Sequence, residues 1–142
     1  MKKIIYASSF LAILLLLILS ASEVSAQKKQ RILLKWGRGE AGRGVAGQAK
    51  GTISGDQYID FTFRINEGRA VDIGLSPMPE DAPVTFDIID PKGKVIFQNI
   101  GDFLDELNEP GTYTVRVYMV KESADVKRPA KATCIVAIFM YV

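Results

Sequence analysis

The sequence predicts an all-β protein, an antiparallel β-sandwich of about eight strands behind a short leader that is removed on export. Three observations predict it. Apolar and polar side chains alternate through short runs from Tyr58 onward, the signature of strands that bury one face. Glycine- and proline-bearing turn signals separate those runs, drawing on 12 glycines and 6 prolines. No segment after residue 26 sustains the 3.6-residue apolar period of an amphipathic helix. Regularly spaced short strands of this kind build two packed sheets.

Residues 1–26 read as a signal peptide. Lys2 and Lys3 give the positive start, Phe10 to Leu19 is an unbroken apolar run, and Val24-Ser25-Ala26 offers small residues for cleavage before Gln27. The apolar run is short for a bilayer span, which needs about 20 residues; an uncleaved N-terminal anchor stays open as the alternative. Residues 27–142 then form a single domain, long enough to bury a core without staples.

The elements follow in order. Gln27 to Gln30 is polar and expected to fray at the terminus. Ile32 to Trp36 reads as a first strand, and Val45 to Ile53 as a weaker one thinned by Gly47 and Gly51. In Tyr58 to Ile65, the side chains of Ile59, Phe61, Phe63 and Ile65 share one face, with Tyr58, Asp60, Thr62 and Arg64 on the other. The turn Asn66-Glu67-Gly68 leads to Val71, Ile73 and Leu75, and the two runs read together as a hairpin. Ser76 to Pro83, with prolines at 77, 79 and 83, is a loop. Val84 to Ile89 faces inward with Val84, Phe86 and Ile88. Asp90-Pro91-Lys92-Gly93 fits a type I turn, and Val95 to Phe97 returns as a second hairpin. Gly101 to Asn108 reads as a strand or a single turn. Thr112 to Val120 buries Tyr113, Val115, Val117 and Met119 and turns Thr114, Arg116 and Tyr118 outward. Lys121 to Lys131 is a polar loop, and Ala132 to Met140 the last strand. The uncharged tail Phe139 to Val142 finishes the core or, alternatively, forms an edge open to dimerisation.

Composition excludes several chemistries. The chain has no histidine, one cysteine and a formal net charge of +2. It therefore holds no Ser-His-Asp triad, Cys-His pair or imidazole metal ligand, no internal disulfide, and no electrostatic footprint for nucleic acid. Cys134, inside an apolar run, reads as a small buried hydrophobe, with an intermolecular disulfide as the minor alternative.

Four candidate sites remain. Gly37-Arg38-Gly39-Glu40-Ala41-Gly42 matches the dinucleotide fingerprint letter for letter, but a glycine-rich stretch follows where a helix is required. It reads as a flexible connection. Asp102, Asp105, Glu106 and Glu109 supply oxygens of the kind calcium uses, yet at no EF-hand spacing; a solvated acidic face is the commoner outcome. Fifteen carboxylates after residue 26 guarantee accidental pairs, so glycoside hydrolysis has no specific support. The loop Lys121 to Lys131, with four cations, is the strongest candidate: a long polar loop fixed at both ends by strands is a usual seat of binding.

Gly111-Thr112-Tyr113-Thr114-Val115-Arg116-Val117-Tyr118-Met119, then a polar loop with Ala124, then a terminal apolar strand, resembles the C-terminal signature of the periplasmic inhibitors of g-type (goose-type) lysozyme. Gly51, Gly55, Tyr58 to Ile65 and Asn66-Glu67-Gly68-Arg69 are similar to that family's core of strand, charged-glycine turn and strand. Related exported domains of the pre-peptidase C-terminal type share the G-x-Y-x-x-x-V pattern. The resemblance implies a periplasmic or secreted β-sandwich binding protein, not an enzyme, with no cofactor and no metal. Its loop after the penultimate strand would enter a lysozyme cleft, where a cation or amide meets the catalytic carboxylic acid. That nominates Arg116, Tyr118, Lys121, Lys127 and Arg128 as partner-binding residues. Lys121-Glu122-Ser123-Ala124-Asp125 departs from the family's mostly basic and amide loop. The implied partner is a g-type lysozyme or another exported protein. The other reading is a cell-envelope accessory module that binds polysaccharide or an exported protein without inhibiting anything. Neither reading involves nucleic acid, or a membrane once the leader is gone, and either suits a monomer or a weak homodimer.

Overall fold

The computed structural model describes residues 28–39 and 42–141; the leader at 1–26 lies outside the described residues. Ten strands follow in chain order: β1 (Lys28–Arg31), β2 (Lys35–Gly39), β3 (Gly42–Ser54), β4 (Tyr58–Ile65), β5 (Arg69–Met78), β6 (Val84–Ile89), β7 (Val95–Ile100), β8 (Asp102–Leu107), β9 (Gly111–Met119) and β10 (Lys131–Tyr141). They form two five-stranded sheets, ordered β1-β4-β9-β6-β7 and β2-β3-β10-β5-β8. The protein is an all-β sandwich, with no helix among the described residues. No described helix is long and apolar enough to cross a membrane.

Period-two burial organises the core. On β9, Tyr113, Val115, Val117 and Met119 are buried, and on β4 so are Ile59, Phe61, Phe63 and Ile65. Val71 and Ile73 of β5, Phe86 and Ile88 of β6, and Ala132, Cys134, Val136, Ile138 and Met140 of β10 complete the interior. Phe63 stacks on Tyr113 with ring centroids 5.8 Å apart. The Tyr113 hydroxyl satisfies itself on the Glu109 carbonyl at 2.9 Å, which lets an aromatic of this size be buried without an orphaned polar atom.

Five expectations need correction. The first concerns the β4 and β5 runs, which do not pair with each other. β4 pairs with β1 and β9, and β5 with β8 and β10. Alternation reveals which face is buried, but it is the same whether the next strand lies beside its predecessor or opposite it across the core. The second is Gln27 to Gln30: Lys28 to Arg31 is not frayed but pairs parallel with β4, Lys28 opposite Ile59. This is the one parallel pair among the described residues of an otherwise antiparallel fold. Third, Ile32 to Leu34 is not strand but the crossing between the sheets. Ile32 plugs the core there and its N–H reaches the Thr62 carbonyl at 2.7 Å. Fourth, Gly37, Gly39, Gly42 and Gly44 belong to an antiparallel pairing of β2 with β3, Gly39 opposite Gly42. A strand follows where the dinucleotide fingerprint needs a helix N-terminus. Fifth, Ser76, Pro77 and Met78 belong to β5 rather than to the expected loop.

The second expected hairpin forms as β6 and β7, with Ile88 opposite Phe97 and Ile89 opposite Val95. Its turn is set by Asp90, whose Oδ1 accepts from the Lys92 and Lys94 N–H groups, and by Gly93 at φ 85°, a backbone state that suits glycine. Gly101 to Asn108 resolves as strand β8. The terminal tail proves central: β10 is paired with β3 as far as Tyr141 and with β5 as far as Met140, so it offers no edge there; Met140 joins the core, Phe139 lies on the outer face, and Val142 lies outside the described residues. Cys134 is wholly buried with its Sγ 3.6 Å from the Gly51 carbonyl. Burial pushes its thiol up to about 11, so it is an inert packing residue.

Candidate functional site

The site is built on the outer face of the β1-β4-β9-β6-β7 sheet. Outward positions on β4, β9 and β6 fall into register, with Asp60, Arg116 and Asp87 in one row and Tyr58, Tyr118 and Thr85 in the next. Arg116 closes a two-point ion pair on Asp60, Nε to Oδ1 at 2.8 Å and Nη2 to Oδ2 at 3.0 Å. Its guanidinium also sits 4.3 Å from the centre of the Tyr58 ring, a cation–π contact. The Asp60 hydrogen bond, opposed by burial, raises the Arg116 pKa further. The next residue outward on β9, Tyr118, donates its hydroxyl to Asp87 Oδ1 at 2.8 Å. Asp87 also accepts from the Asn99 N–H at 2.9 Å, and Asn99 adopts a positive φ of 54°. Burial, then the Asp87 hydrogen bond, push the Tyr118 hydroxyl up to about 12.

Tyr58, Asn99, Arg116 and Tyr118 border an open cleft of about 730 Å³, lined also by Asp56, Gln98, Val120 and Lys121. The β9–β10 loop borders it at one end. The Val120 N–H bonds the Pro83 carbonyl at 2.8 Å, and Ser123 and Val126 close a small turn, N–H to carbonyl 3.1 Å. Arg128 anchors the loop to the β3–β4 turn: its Nη1 donates to Asp56 Oδ1 at 2.9 Å and to the Gly55 carbonyl at 3.3 Å. The guanidinium holds the exposed Asp56 carboxyl below the usual carboxylate range. The Arg128 N–H meets Glu122 Oε1 at 3.2 Å.

The five nominated residues divide accordingly. Arg116, Tyr118 and Lys121 share the cleft, and Arg128 braces its rim. Lys127 is exposed on the loop and does not line the cleft. Three of the five are already engaged within the protein, through Asp60, Asp87 and Asp56. The sequence reading missed those carboxylates, and with them Tyr58, Gln98 and Asn99. Parity alone put Asp60 and Arg116 on outward faces, but their meeting depends on the pairing of β4 with β9. The acidic candidates Asp102, Asp105 and Glu106 are strung along edge strand β8, and Glu109 pairs instead with Lys92 at 3.0 Å. Among the described residues no group of three metal-ligating side chains is assembled.

Fold and site together define a small all-β sandwich with a cleft of charged and aromatic side chains beside a braced loop. Two solved lysozyme inhibitors share the fold. Aeromonas hydrophila PliG, a periplasmic lysozyme inhibitor of g-type lysozyme, superposes with a TM-score of 0.60 at 18% identity, covering 82% of this chain and 100% of its own. A mutant of the Escherichia coli PliG matches at TM-score 0.53 and 18% identity, with 82% and 100% covered. The pre-peptidase C-terminal domain of a Bacillus anthracis collagenase matches at 0.52 and 15%, with 82% and 99% covered. Identities this low establish a common fold. No protein-family model matches the sequence, and no curated protein matches it significantly.

Proposed function

We propose that the chain is an exported binding protein that blocks the substrate cleft of a g-type lysozyme, directed to the periplasm or beyond by residues 1–26. The observation that carries this reading is the convergence of Arg116, Tyr118 and Lys121 in one cleft, beside a loop that Arg128 braces. The fold shared over the full length of the Aeromonas hydrophila inhibitor supports it. Inhibition needs a surface that does not rearrange, because ordering side chains on binding costs affinity. Arg116 and Tyr118 are fixed in advance by their carboxylates. Lys121 and Lys127 then supply the accessible positive charge for the acid of the enzyme, each as a point charge rather than a fork.

A second reading, a cell-envelope module that binds polysaccharide or another exported protein, is favoured by one observation: the collagenase domain matches about as well as the Escherichia coli inhibitor.

The experiment is the clearing of cell-wall suspensions by a g-type lysozyme, with and without the purified protein. Slowing at micromolar protein is expected. Unchanged clearing, together with retention of the protein on a sedimented cell-wall polymer, would replace the first reading with the second.

A further inference from the structure

The opposite sheet carries a second concavity, which neither reading uses. On three adjacent strands, β3, β10 and β5, outward positions fall into rows. Gln48, Ala137 and Gly74 form one, and Ala46, Phe139 and Asp72 the next. Side chains on neighbouring strands stand about 5 Å apart, so bulk at these positions would close the surface. Ala46, Ala137 and Gly74 lack that bulk, and a hollow of about 420 Å³ opens instead. A Cβ built on Gly74 meets nothing within 4 Å.

The walls are not inert. Phe139 packs edge-on against Tyr141 with centroids 4.9 Å apart, and its ring reaches across to Gly44, where a Cβ would lie 2.7 Å from Cζ. The ring is therefore held against the Tyr141–Gly44 row. Asp72 and Gln48 line the hollow, and neither side chain is tied to another of the described residues. The combination is an apolar floor, one fixed aromatic ring, one carboxylate acceptor and one amide with both donor and acceptor.

We propose that this hollow is a subsite for a neutral pyranoside chain. A sugar ring has an apolar C–H face, suited to Phe139 and the alanine floor, and a rim of hydroxyls that donate to a carboxylate and exchange hydrogen bonds with an amide. The charge of the lining selects the class. Among the described residues the lining holds one carboxylate and no cation, so an acidic sugar seated in it would meet Asp72; Lys35, in register with Ala46, stands outside the lining. The inference gives the envelope-module reading a ligand. It does not depend on lysozyme inhibition, because the two concavities lie on different sheets.

The test is a titration of the ¹⁵N-labelled protein with chitotetraose and cellotetraose, and with oligogalacturonate as the charged arm. Saturable shifts are expected for residues 46–48, 72–74 and 137–139 with either neutral oligosaccharide and not with the acidic one. Gly74→Leu puts bulk into the hollow from a position where a Cβ meets nothing within 4 Å, and it should abolish the shifts while leaving the fold and any lysozyme inhibition intact. Asp72→Asn, which keeps shape and removes the charge, should weaken binding about tenfold. The proposal is overturned by the absence of saturable shifts from both neutral oligosaccharides up to about 10 mM, by equal binding of oligogalacturonate, or by binding that survives Gly74→Leu in a folded protein. Retained lysozyme inhibition alongside any of these would leave the inhibitor reading standing by itself.

Discussion

Arg116 and Asp60 face each other across β9 and β4 and lock through two parallel hydrogen bonds, at 2.8 and 3.0 Å. The two side chains are unequally placed, with Asp60 7% and Arg116 34% exposed. The carboxylate is therefore the partner that needs the pair, because the guanidinium retains a route to water. Removing the Asp60 charge by Asp60→Asn breaks the fork and leaves an arginine that can turn outward. The expected loss is about 1–3 kcal/mol, below the range for fully buried pairs. Urea denaturation of the two proteins measures it, and a midpoint within error of the parent would mean that the pair contributes nothing net.

Alkaline pH should unfold the protein earlier than its acid groups suggest. The Tyr118 hydroxyl rises from its ordinary 10 to about 12 through burial and then the Asp87 hydrogen bond. The Cys134 thiol rises from 9 to about 11 through burial. Both are acids bound more tightly to their protons in the folded state. Their contribution is whole below pH 9 and is lost as pH climbs from about 9 to about 12, where the unfolded chain releases protons first. Tyr118→Phe should flatten the decline between pH 10 and 12, measured as melting temperature against pH. An identical slope in both proteins would contradict the assignment to Tyr118.

Gly111 begins β9 at φ 139°, and a Cβ there would lie 2.7 Å from Cβ of Pro91. Two independent penalties therefore meet at one position, the backbone state and the collision with a rigid ring. Gly111→Ala should cost about 2–3 kcal/mol, seen as a lowered denaturation midpoint with an unchanged β-sheet circular dichroism spectrum. Parent-like stability would show that the turn relaxes freely around Pro91.

Strands β4 and β6 were legible in the sequence because a strand with one apolar face writes its polarity into alternate residues. Tyr58–Ile65 and Val84–Ile89 have the expected bounds. The pairing of strands was less legible, since Ile59 to Ile65 and Val71 to Ile73 carry one pattern whether they lie side by side or face to face. Lys28–Arg31 was illegible for another reason: all four of its side chains are exposed, so only backbone hydrogen bonds to β4 make it a strand. The site followed the same division. Arg116 and Tyr118 were legible as outward residues, whereas the carboxylates that hold them belong to strands 56 and 31 residues away in sequence.

The braced loop separates two roles that its sequence runs together. Arg128 spends its guanidinium on Gly55 and Asp56, while Lys121 and Lys127 are exposed. Asp56 is 80% exposed, so the Arg128 pair adds little to stability. Its effect is to hold the loop against the β3–β4 turn. Lys121→Glu and Lys127→Glu should each change stability by less than about 0.5 kcal/mol yet weaken the proposed lysozyme inhibition, Lys121→Glu by tenfold or more because it lines the cleft. Inhibition should also fall with added salt, as an exposed charge contact requires. Arg128→Ala acts by a different route: it frees the loop, so inhibition weakens even though no contact charge is lost, and an Asp56→Asn variant should reproduce part of that effect. Because Asp56 ionises below the ordinary carboxylate range, the brace is complete above that range and is released as pH falls through the lowered value. Inhibition constants for the four variants and the parent decide the matter. Equal values for Lys121→Glu and the parent would remove the loop from the interface, whereas a loss confined to Arg128→Ala would make its order, and not its charge, the determinant of binding.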